Sequence, residues 1–392
     1  MRIESVDIFY LALPEVADIG DGSQDMALVR VRAGGFTGWG ECEASPLPTI
    51  AALVTPPSHS ACHGVLDSVL GATIDGVPDI AALSRLVAER GLDLLQTAHA
   101  WSGVEIALWD LLGKARSQPA WSLLGASVAH LRVPYASQLF GDDPHATWLQ
   151  AKTIVASGYR AAKFGWGPYG RGSVTDDADQ VMAARDGLGP EATLLVDAGT
   201  VWGEDVEAAA ARLPALAAAR VTWLEEPFVS GALEAHARLA GQAGDVRLAA
   251  GEGAHSVHHA RHLIDHGAVG FIQIDTGRIG GIGPAARVAD YARERGVQFV
   301  NHTFTSQLAL AASLTPFAGA AGELLCEYPV APSALAGALT AVRLRGEDGL
   351  VRLPDAAGLG IEPDTEALAP YLKQVEIVID GDTLYRTPEL TR

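Results

Sequence analysis

Three acidic residues stand at the ends of consecutive strands that the sequence predicts: Asp197, Glu225 and Glu252. Neighbouring strands lie about 4.8 Å apart, so the three carboxylates should meet at one rim. Such anions repel one another unless a cation lies between them, and oxygen ligands of this kind suit Mg²⁺, with Mn²⁺ as a substitute. Glu225 and Glu226 compete for one ligand position, because adjacent side chains on a strand face opposite ways and periodicity does not choose between them.

Asp275 and His302 end the next two predicted strands. A carboxylate beside an imidazole fixes the tautomer and orientation of the ring and raises its basicity. The pair therefore predicts a general base. The alternative is a buried histidine bonded to a structural aspartate, and the neighbouring carboxylates favour the catalytic interpretation.

The stretch AAKFGWGPYG, residues 161–170, places a lysine where another strand should end. The Lys163 ammonium could balance the charge of an anionic substrate beside the metal site. Because side chains alternate along a strand, Gly165 shares the face of Lys163 and presents no side chain there. Trp166 shares the parity of Phe164, so it could wall the pocket or pack outward.

Eight short apolar strands alternate with Ala-rich helical stretches between residues 131 and 329. Eight such βα units predict a closed parallel barrel, which keeps its reactive side chains at the carboxyl ends of the strands. Seven strands end in polar or charged residues at spacings of 23 to 34 residues. These seven residues are Lys163, Asp197, Glu225, Glu252, Asp275, His302 and Glu327.

The flanking segments predict a second unit. Residues 1–128 form a strand-then-helix segment, in which GGFTGWGE (34–41) supplies turn glycines around a short strand. Residues 129–335 contain the barrel, and residues 336–392 form a return segment that could pair with the first unit.

Composition excludes several classes of partner. A chain of 392 residues with 48% hydrophobic residues can bury a sizeable core, and its formal net charge of −19 argues against nucleic acid and anionic membranes. Its three cysteines are few and far apart, which predicts a cytoplasmic protein without disulfides. We see no signal peptide and no apolar run of about 18 residues that would predict a membrane span.

Seven motifs in order resemble the enolase superfamily, and within it the mandelate racemase-like branch, over essentially the whole chain. They are GWGECEASPLPT (38–49), SGVEIALWDLLGKA (102–115), LLVDAG (194–199), WLEEPF (223–228), AGEGAH (250–255), IQIDTGRIGGIG (272–283) and VNHTF (300–304). The resemblance implies an α/β fold, a modified (β/α)₈ TIM barrel under an α+β capping domain built from both chain ends. It also implies a homo-oligomer.

The resemblance further implies a reaction, the removal of a proton α to a carboxylate. Mg²⁺ would be held by Asp197, Glu225 and Glu252, with the Asp275–His302 dyad as base. Glu327 would contact the substrate carboxylate or the enolate. The substrate would be a small-molecule carboxylate.

Two departures from the family pattern bear on the reaction. The second strand usually carries Lys-x-Lys, but here Gly165 replaces the second lysine, the base on the opposite face of the substrate. A racemase needs a base on each face, whereas one base can dehydrate a hydroxy acid, so we expect syn-dehydration of a sugar acid by His302. Tyr169 or Arg171 could supply the missing base. The alternative reactions on the same scaffold are those of a racemase or epimerase and of a cycloisomerase. Gly199 replaces a common asparagine and should enlarge the mouth.

The family places specificity in capping-domain loops, here residues 17–25 and about 44–50. Asp21 and Gln24 are hydrogen-bonding types that suit a polyol, although a solvated loop would look the same. We add Trp166 and Tyr169 as pocket walls. Asn301, which precedes His302, completes the predicted substrate contacts.

Two other signals suggest rival functions. Gly281-x-Gly283-x-x-Ala286 has the shape of a dinucleotide fingerprint, but its glycines serve equally as a tight turn. The histidine-rich stretch 255–266 could chelate Zn²⁺, although a surface helix explains it better. A zinc-dependent or non-catalytic protein is therefore the remote alternative.

Overall fold

The first part of the chain folds into a three-stranded antiparallel sheet and five helices, in a computed structural model that describes residues 1–43 and 45–391. The strands are β1 (Ile3–Ala12), β2 (Asp25–Ala33) and β3 (Phe36–Glu43). The helices are α1 (Pro46–Val54), α2 (Leu66–Val69), α3 (Val77–Arg90), α4 (Thr97–Arg116) and α5 (Ala120–Leu123). We call this unit the capping domain.

Helix α4 packs directly on strand β3 because two glycines of that strand lack side chains. A Cβ at Gly38 would lie 2.0 Å from the carbonyl oxygen of Ala107, and a Cβ at Gly40 would lie 2.1 Å from that of Gly103. Both glycines lie inside β3, so the prediction that the glycines of residues 34–41 form turns is wrong for these two. It holds for residues 34–35, whose φ angles of 57° and 81° form the turn into β3.

Eight parallel strands form the barrel, which confirms the predicted fold class. The order of the strands in the sheet is β10-β9-β8-β7-β6-β5-β4-β11. The strands are β4 (Val133–Leu139), β5 (Ala161–Gly165), β6 (Thr193–Asp197), β7 (Val221–Glu225), β8 (Arg247–Ala250), β9 (Phe271–Asp275), β10 (Gln298–His302) and β11 (Leu325–Pro329).

Helices follow the barrel strands and cover their outer side. They are α6 (Pro144–Ala156), α7 (Val174–Leu188), α8 (Val206–Ala210), α9 (Leu213–Ala218), α10 (Leu233–Ala240), α11 (Val257–His266), α12 (Ile282–Glu294), α13 (Gln307–Leu314) and α14 (Ala334–Leu339). Short 3₁₀ turns occur at Gly22–Gln24, Thr315–Phe317 and Ala369–Tyr371. In the described part of the chain, no helix has the length and apolar character needed to cross a membrane.

The seam between β10 and β11 is bridged by a side chain. The Glu327 backbone N–H donates to Asn301 Oδ1 at 3.0 Å, and Asn301 Nδ2 donates to Ser313 Oγ at 3.1 Å. Asn301 is fully buried in these contacts. It joins two strands of the barrel, and this predicted substrate contact does not line the cavity described below.

The C-terminal segment lies against the capping domain. It contains α15 (Thr365–Leu368) and the hairpin β12 (Glu376–Ile379) and β13 (Asp382–Arg386). The backbone N–H of Lys373 donates to the Tyr10 carbonyl at 2.8 Å, and the Tyr385 hydroxyl donates to the Ile8 carbonyl at 2.6 Å. These bonds attach the end of the chain to the edge of the capping-domain sheet at β1.

Glu105 of α4 caps the barrel helix α12 from outside. Its buried carboxylate accepts hydrogen bonds from the backbone N–H groups of Ile282 at 2.7 Å and Gly283 at 2.9 Å, and from Trp109 Nε1 at 2.8 Å. A Cβ at Gly281 would lie 2.0 Å from Glu105 Oε2. The dinucleotide-like glycines therefore make room for Glu105, which occupies the amides that a phosphate would need.

We expect Glu105→Ala to lower the free energy of unfolding by about 3 kcal/mol, because it leaves buried donors without an acceptor. Denaturant melts measure the change. The exposed Glu89 on α3 provides a control, and Glu89→Ala should stay within about 0.5 kcal/mol of the wild type. Equal effects of the two substitutions would contradict a capping role for Glu105.

Candidate active site

A cavity of about 290 Å³ opens at the carboxyl ends of the barrel strands. Residues 19–22 of the capping domain cover one side, and residues 137–139 at the end of β4 form another wall. Four of the seven strand-end residues predicted from the sequence also line this cavity. These are Lys163, Asp197, Glu252 and His302.

The three predicted metal ligands converge beside this cavity. One carboxylate oxygen each of Asp197, Glu225 and Glu252 lies within 4.8 Å of the others, and no other group of this kind was found in the described part of the chain. Asp197 and Glu225 are the last residues of β6 and β7, whereas Glu252 lies two residues beyond β8. Oxygen donors at this spacing fit a hard divalent cation.

The structure separates Glu225 from Glu226. Glu225 points into the barrel, where its Oε2 accepts a hydrogen bond from the buried Trp223 Nε1 at 3.0 Å. Glu226 points the other way and accepts from the Gly251 backbone N–H at 2.8 Å. Glu225 is therefore the member of the pair that faces the other carboxylates.

Burial and crowding shift the pKa values of these acids. Burial, followed by the neighbouring carboxylates, raises the pKa of Asp197 and of Glu225 against the opposing pull of Lys163. Burial alone would also raise the pKa of Glu252, but His302 and then Arg278 lower it below its usual range. The neighbouring cations therefore favour the charged form of Glu252, whereas burial and the adjacent carboxylates disfavour the charged forms of Asp197 and Glu225.

Lys163 lies among three acidic residues of the barrel. Its Nζ is 2.5 Å from Glu225 Oε1, 2.9 Å from Glu327 Oε1 and 3.5 Å from Asp197 Oδ2. Burial would lower the pKa of Lys163, but Glu225 and then Glu327 raise it well above its usual value. Lys163 is not the last residue of β5, because the strand continues to Gly165.

The predicted dyad is formed. His302 Nδ1 lies 2.8 Å from Asp275 Oδ2, and its Nε2 lies 3.1 Å from Glu252 Oε2. Burial would lower the pKa of His302, but Glu252 and then Glu327 raise it well above its usual value. The ring is thereby oriented by Asp275, with Nε2 beside the metal-ligand group.

Glu327 joins the same cluster from the seam of the barrel. Its Oε2 accepts a hydrogen bond from the Thr303 backbone N–H at 2.8 Å, and its Oε1 faces Lys163. This arrangement fixes the backbone that follows His302. Glu327 thus touches the substrate side of the site only through Lys163 and the dyad.

Arg278 lines the cavity and was missed from the sequence. Its Nη1 lies 3.6 Å from Glu252 Oε1, and its Nε lies 3.9 Å from Asp275 Oδ2. It therefore adds a second cation between a predicted metal ligand and the dyad. Its position in the turn that follows β9, three residues after Asp275, was the available signal.

Two of the remaining predicted substrate contacts do line the cavity: Asp21 and Trp166. Trp166 has a left-handed φ of 55° and is 37% exposed. A Cβ at Gly199 would lie 2.7 Å from its indole, and one at Gly20 would lie 3.2 Å away. Gly199 therefore does not widen the mouth, because the indole takes the space.

Gln24 and Tyr169, also predicted to contact substrate, do not line the cavity. The Gln24 side chain accepts from the Ala17 backbone N–H at 2.7 Å, so it shapes the capping loop and does not face the cavity. Tyr169 is buried and stacks on Phe140, with ring centroids 5.0 Å apart. It offers no base to the opposite face of a substrate.

The other predicted positions also lie outside the cavity wall. Arg171 is exposed beyond β5 and is absent from the lining. In the predicted loop at about 44–50, Ala44 lies outside the described residues, and the segment from Pro46 onward begins α1 without reaching the cavity. The histidine-rich stretch forms most of the outer helix α11.

Comparison with known proteins identifies the family. Residues 14–125 match the mandelate racemase / muconate lactonizing enzyme N-terminal domain, and residues 148–367 match the enolase C-terminal domain-like model. A crystal structure of a predicted mandelate racemase from Rhodobacter sphaeroides is 59% identical, with a TM-score of 0.94 over 99% of both chains.

Curated relatives include different activities. A 3,6-anhydro-alpha-L-galactonate cycloisomerase from Streptomyces coelicolor is 32% identical over 68% of this chain and 70% of its own. A D-galactonate dehydratase from Variovorax paradoxus is 28% identical over 85% of this chain and 87% of its own. With the barrel and the site geometry, these matches show that the chain is an enzyme of the mandelate racemase / muconate lactonizing enzyme family in the enolase superfamily.

Proposed function

We propose that this protein is a Mg²⁺-dependent dehydratase that converts a sugar acid into a 2-keto-3-deoxy acid. The reaction begins with removal of the proton α to the substrate carboxylate. The observation that carries the proposal is the asymmetry of the cavity: a histidine base stands on one side, and Gly165 stands at the position of a second base.

Gly165 cannot be replaced by a larger residue without disturbing the metal site. A Cβ at Gly165 would lie 2.6 Å from Asp197 Cβ, well inside van der Waals contact. The backbone of β5 and the side chain of Asp197 therefore leave no room for the second lysine of the family pattern. Epimerisation, which needs a base on each face of a planar intermediate, is disfavoured for this reason.

The donor set fits a resident Mg²⁺, with Mn²⁺ as a substitute. Asp197, Glu225 and Glu252 would hold the ion, because their hard oxygen atoms already converge. When bound, Mg²⁺ would neutralise charge on the substrate carboxylate and make the adjacent C–H more acidic. The three carboxylates carry one more negative charge than a divalent ion neutralises. The Lys163 ammonium would compensate that remaining charge.

His302 would perform both proton transfers. Asp275 accepts from Nδ1 and leaves Nε2 to take the α-proton. His302 would then return that proton to the β-hydroxyl, which leaves as water on the same face, and the resulting enol would tautomerise to the keto acid. Lys163 would hold the substrate carboxylate during both steps, with Glu327 fixing the Lys163 ammonium and the Thr303 backbone.

Cycloisomerisation is the second candidate. It is supported by the cycloisomerase from Streptomyces coelicolor, which shares 32% identity with this chain. That chemistry also proceeds from an anion α to a carboxylate. It differs in the fate of the leaving oxygen, which stays in the product.

A library of mono- and diacid sugars, assayed for 2-keto acid formation and by proton NMR in D₂O, tests the proposal. We expect at least one sugar acid to lose a hydroxyl group and yield a 2-keto acid. His302→Asn should abolish this product, because it removes the base. Deuterium at Cα with every hydroxyl retained would instead establish an epimerase, and a rearranged product of unchanged mass would establish a cycloisomerase.

Metal removal gives a second prediction. Treatment with EDTA should abolish turnover, since the three carboxylates and Lys163 alone do not compensate the charge of a developing enediolate. Added Mg²⁺ should restore the rate, and Zn²⁺ should not. Full activity after exhaustive chelation would contradict the metal assignment.

Gly165→Ala should weaken Mg²⁺ binding on the order of tenfold, because the new methyl group displaces Asp197. Isothermal titration calorimetry with MgCl₂ measures the affinity without any substrate. Gly337 in α14 has nothing within 4 Å of the position of its Cβ, so Gly337→Ala is the matched control and should bind as the wild type. An unchanged affinity of Gly165→Ala would contradict the close contact with Asp197.

A further inference from the structure

A second, smaller cavity borders the dyad, and His302 is the one lining residue, among those that the structure describes, that it shares with the first cavity. Its volume is about 10 Å³, on the order of the space that one water molecule needs. Asp275 and His302 form part of its wall, and Glu41 of strand β3 also lines it. The capping domain thus reaches the back of the predicted general base.

Three buried oxygen atoms around this cavity lack a hydrogen-bond partner among the described residues. They are Glu41 Oε1, Thr276 Oγ1 and Thr305 Oγ1. All three residues are at most 3% exposed. Buried polar atoms without partners are costly, and groups of about three around a water-sized space are the usual surroundings of an internal water.

Glu41 is also bound to the segment that follows His302. Its Oε2 accepts a hydrogen bond from Ser306 Oγ. The same hydroxyl oxygen accepts from the backbone N–H groups of Leu308 and Ala309 and caps α13. Glu41 Oε1 takes no part in this contact and is buried without a hydrogen-bond partner among the described residues.

The two threonines stand on the two segments that carry the dyad. Thr276 follows Asp275 directly, and Thr305 lies three residues after His302. Burial raises the pKa of Glu41 to about 7, while Ser306 and then Thr305 lower it and Asp275 raises it further. The Thr305 hydroxyl and the Asp275 carboxylate therefore both lie close enough to Glu41 to shift its pKa, in opposite directions.

We infer that this cavity is a binding site for one ordered water molecule, through which Glu41 acts as a positioning residue for the Asp275–His302 dyad. The water donates to Glu41 Oε1 and is bonded by the hydroxyls of Thr276 and Thr305. It links both dyad segments to the capping domain. The water site is independent of the proposed dehydratase activity, whereas the kinetic consequence rests on it.

A high-resolution crystal structure of the Mg²⁺-loaded protein tests the water site directly. We expect one water within about 2.7 to 3.2 Å of all three oxygens. Thr305→Val should lose it while the chain keeps its fold. A cavity without density, or a Thr305 hydroxyl turned to bond Glu41 directly, would overturn the proposal.

Variants of Glu41 test the positioning role on the sugar acid that the screen identifies. Glu41→Leu should lower kcat on the order of tenfold or more, with KM nearly unchanged, because the base loses its orientation but the substrate contacts remain. Glu41→Gln keeps the shape and an acceptor oxygen and should restore most of kcat. Equal kcat in the wild type and in Glu41→Leu would overturn the role of Glu41.

Thr49 provides a matched control for Thr305. It is fully buried, its hydroxyl also lacks a partner among the described residues, and it lies in α1 away from both cavities. Thr49→Val should leave kcat unchanged, whereas Thr305→Val should lower it. If no sugar acid of the library is converted, the proposed dehydratase activity is refuted. The crystal structures would still decide whether the water site exists.

Discussion

Mutual repulsion among Asp197, Glu225 and Glu252 is the constraint on which the barrel mouth depends. Three carboxylates at this spacing are unfavourable in a buried site, and the pKa values of Asp197 and Glu225 are raised first by burial and then by the neighbouring carboxylates. Two protein cations, Lys163 and Arg278, offset part of it from opposite ends of the cluster. A divalent ion would supply the rest, which is why the same residues that destabilise the empty rim suit a metal site.

The capping domain acts on this site mainly through buried carboxylates. Glu105 accepts hydrogen bonds from N–H groups at the start of α12, and Glu41 accepts one from the hydroxyl that caps α13. Asp110 accepts a hydrogen bond from the Leu359 backbone N–H at 2.8 Å. One carboxylate can satisfy several donors at short range, so each of these acids binds a different segment to α4 or β3. Two of those segments directly follow the strands that end in Asp275 and His302. The unit that covers one side of the cavity thereby also supports the two segments that follow the dyad.

Much of the site was predictable because the chemistry sits on a regular repeat. One ionisable residue per βα unit, near a strand end, sufficed to predict the barrel, the converging carboxylates and the dyad. The same regularity could not separate Glu225 from Glu226, since that choice depends on which of them meets Trp223 inside the barrel. Nor could it find Arg278, which stands in a turn where strand periodicity carries no information.

By itself, the sequence determined the fold class and the identity of the strand-end residues, because these follow from local periodicity and from the spacing of βα units. Only the tertiary structure decided which polar side chains face the cavity. Asn301 closes the seam of the barrel, Gln24 shapes its own loop, and Tyr169 packs into an aromatic cluster. Each has a residue type that suits substrate, but its direction is set by contacts with residues distant in the chain or by the path of a loop. Gly165 shows both kinds of information. The sequence reveals that no side chain is present there, but only the folded barrel shows that Asp197 lies too close for one.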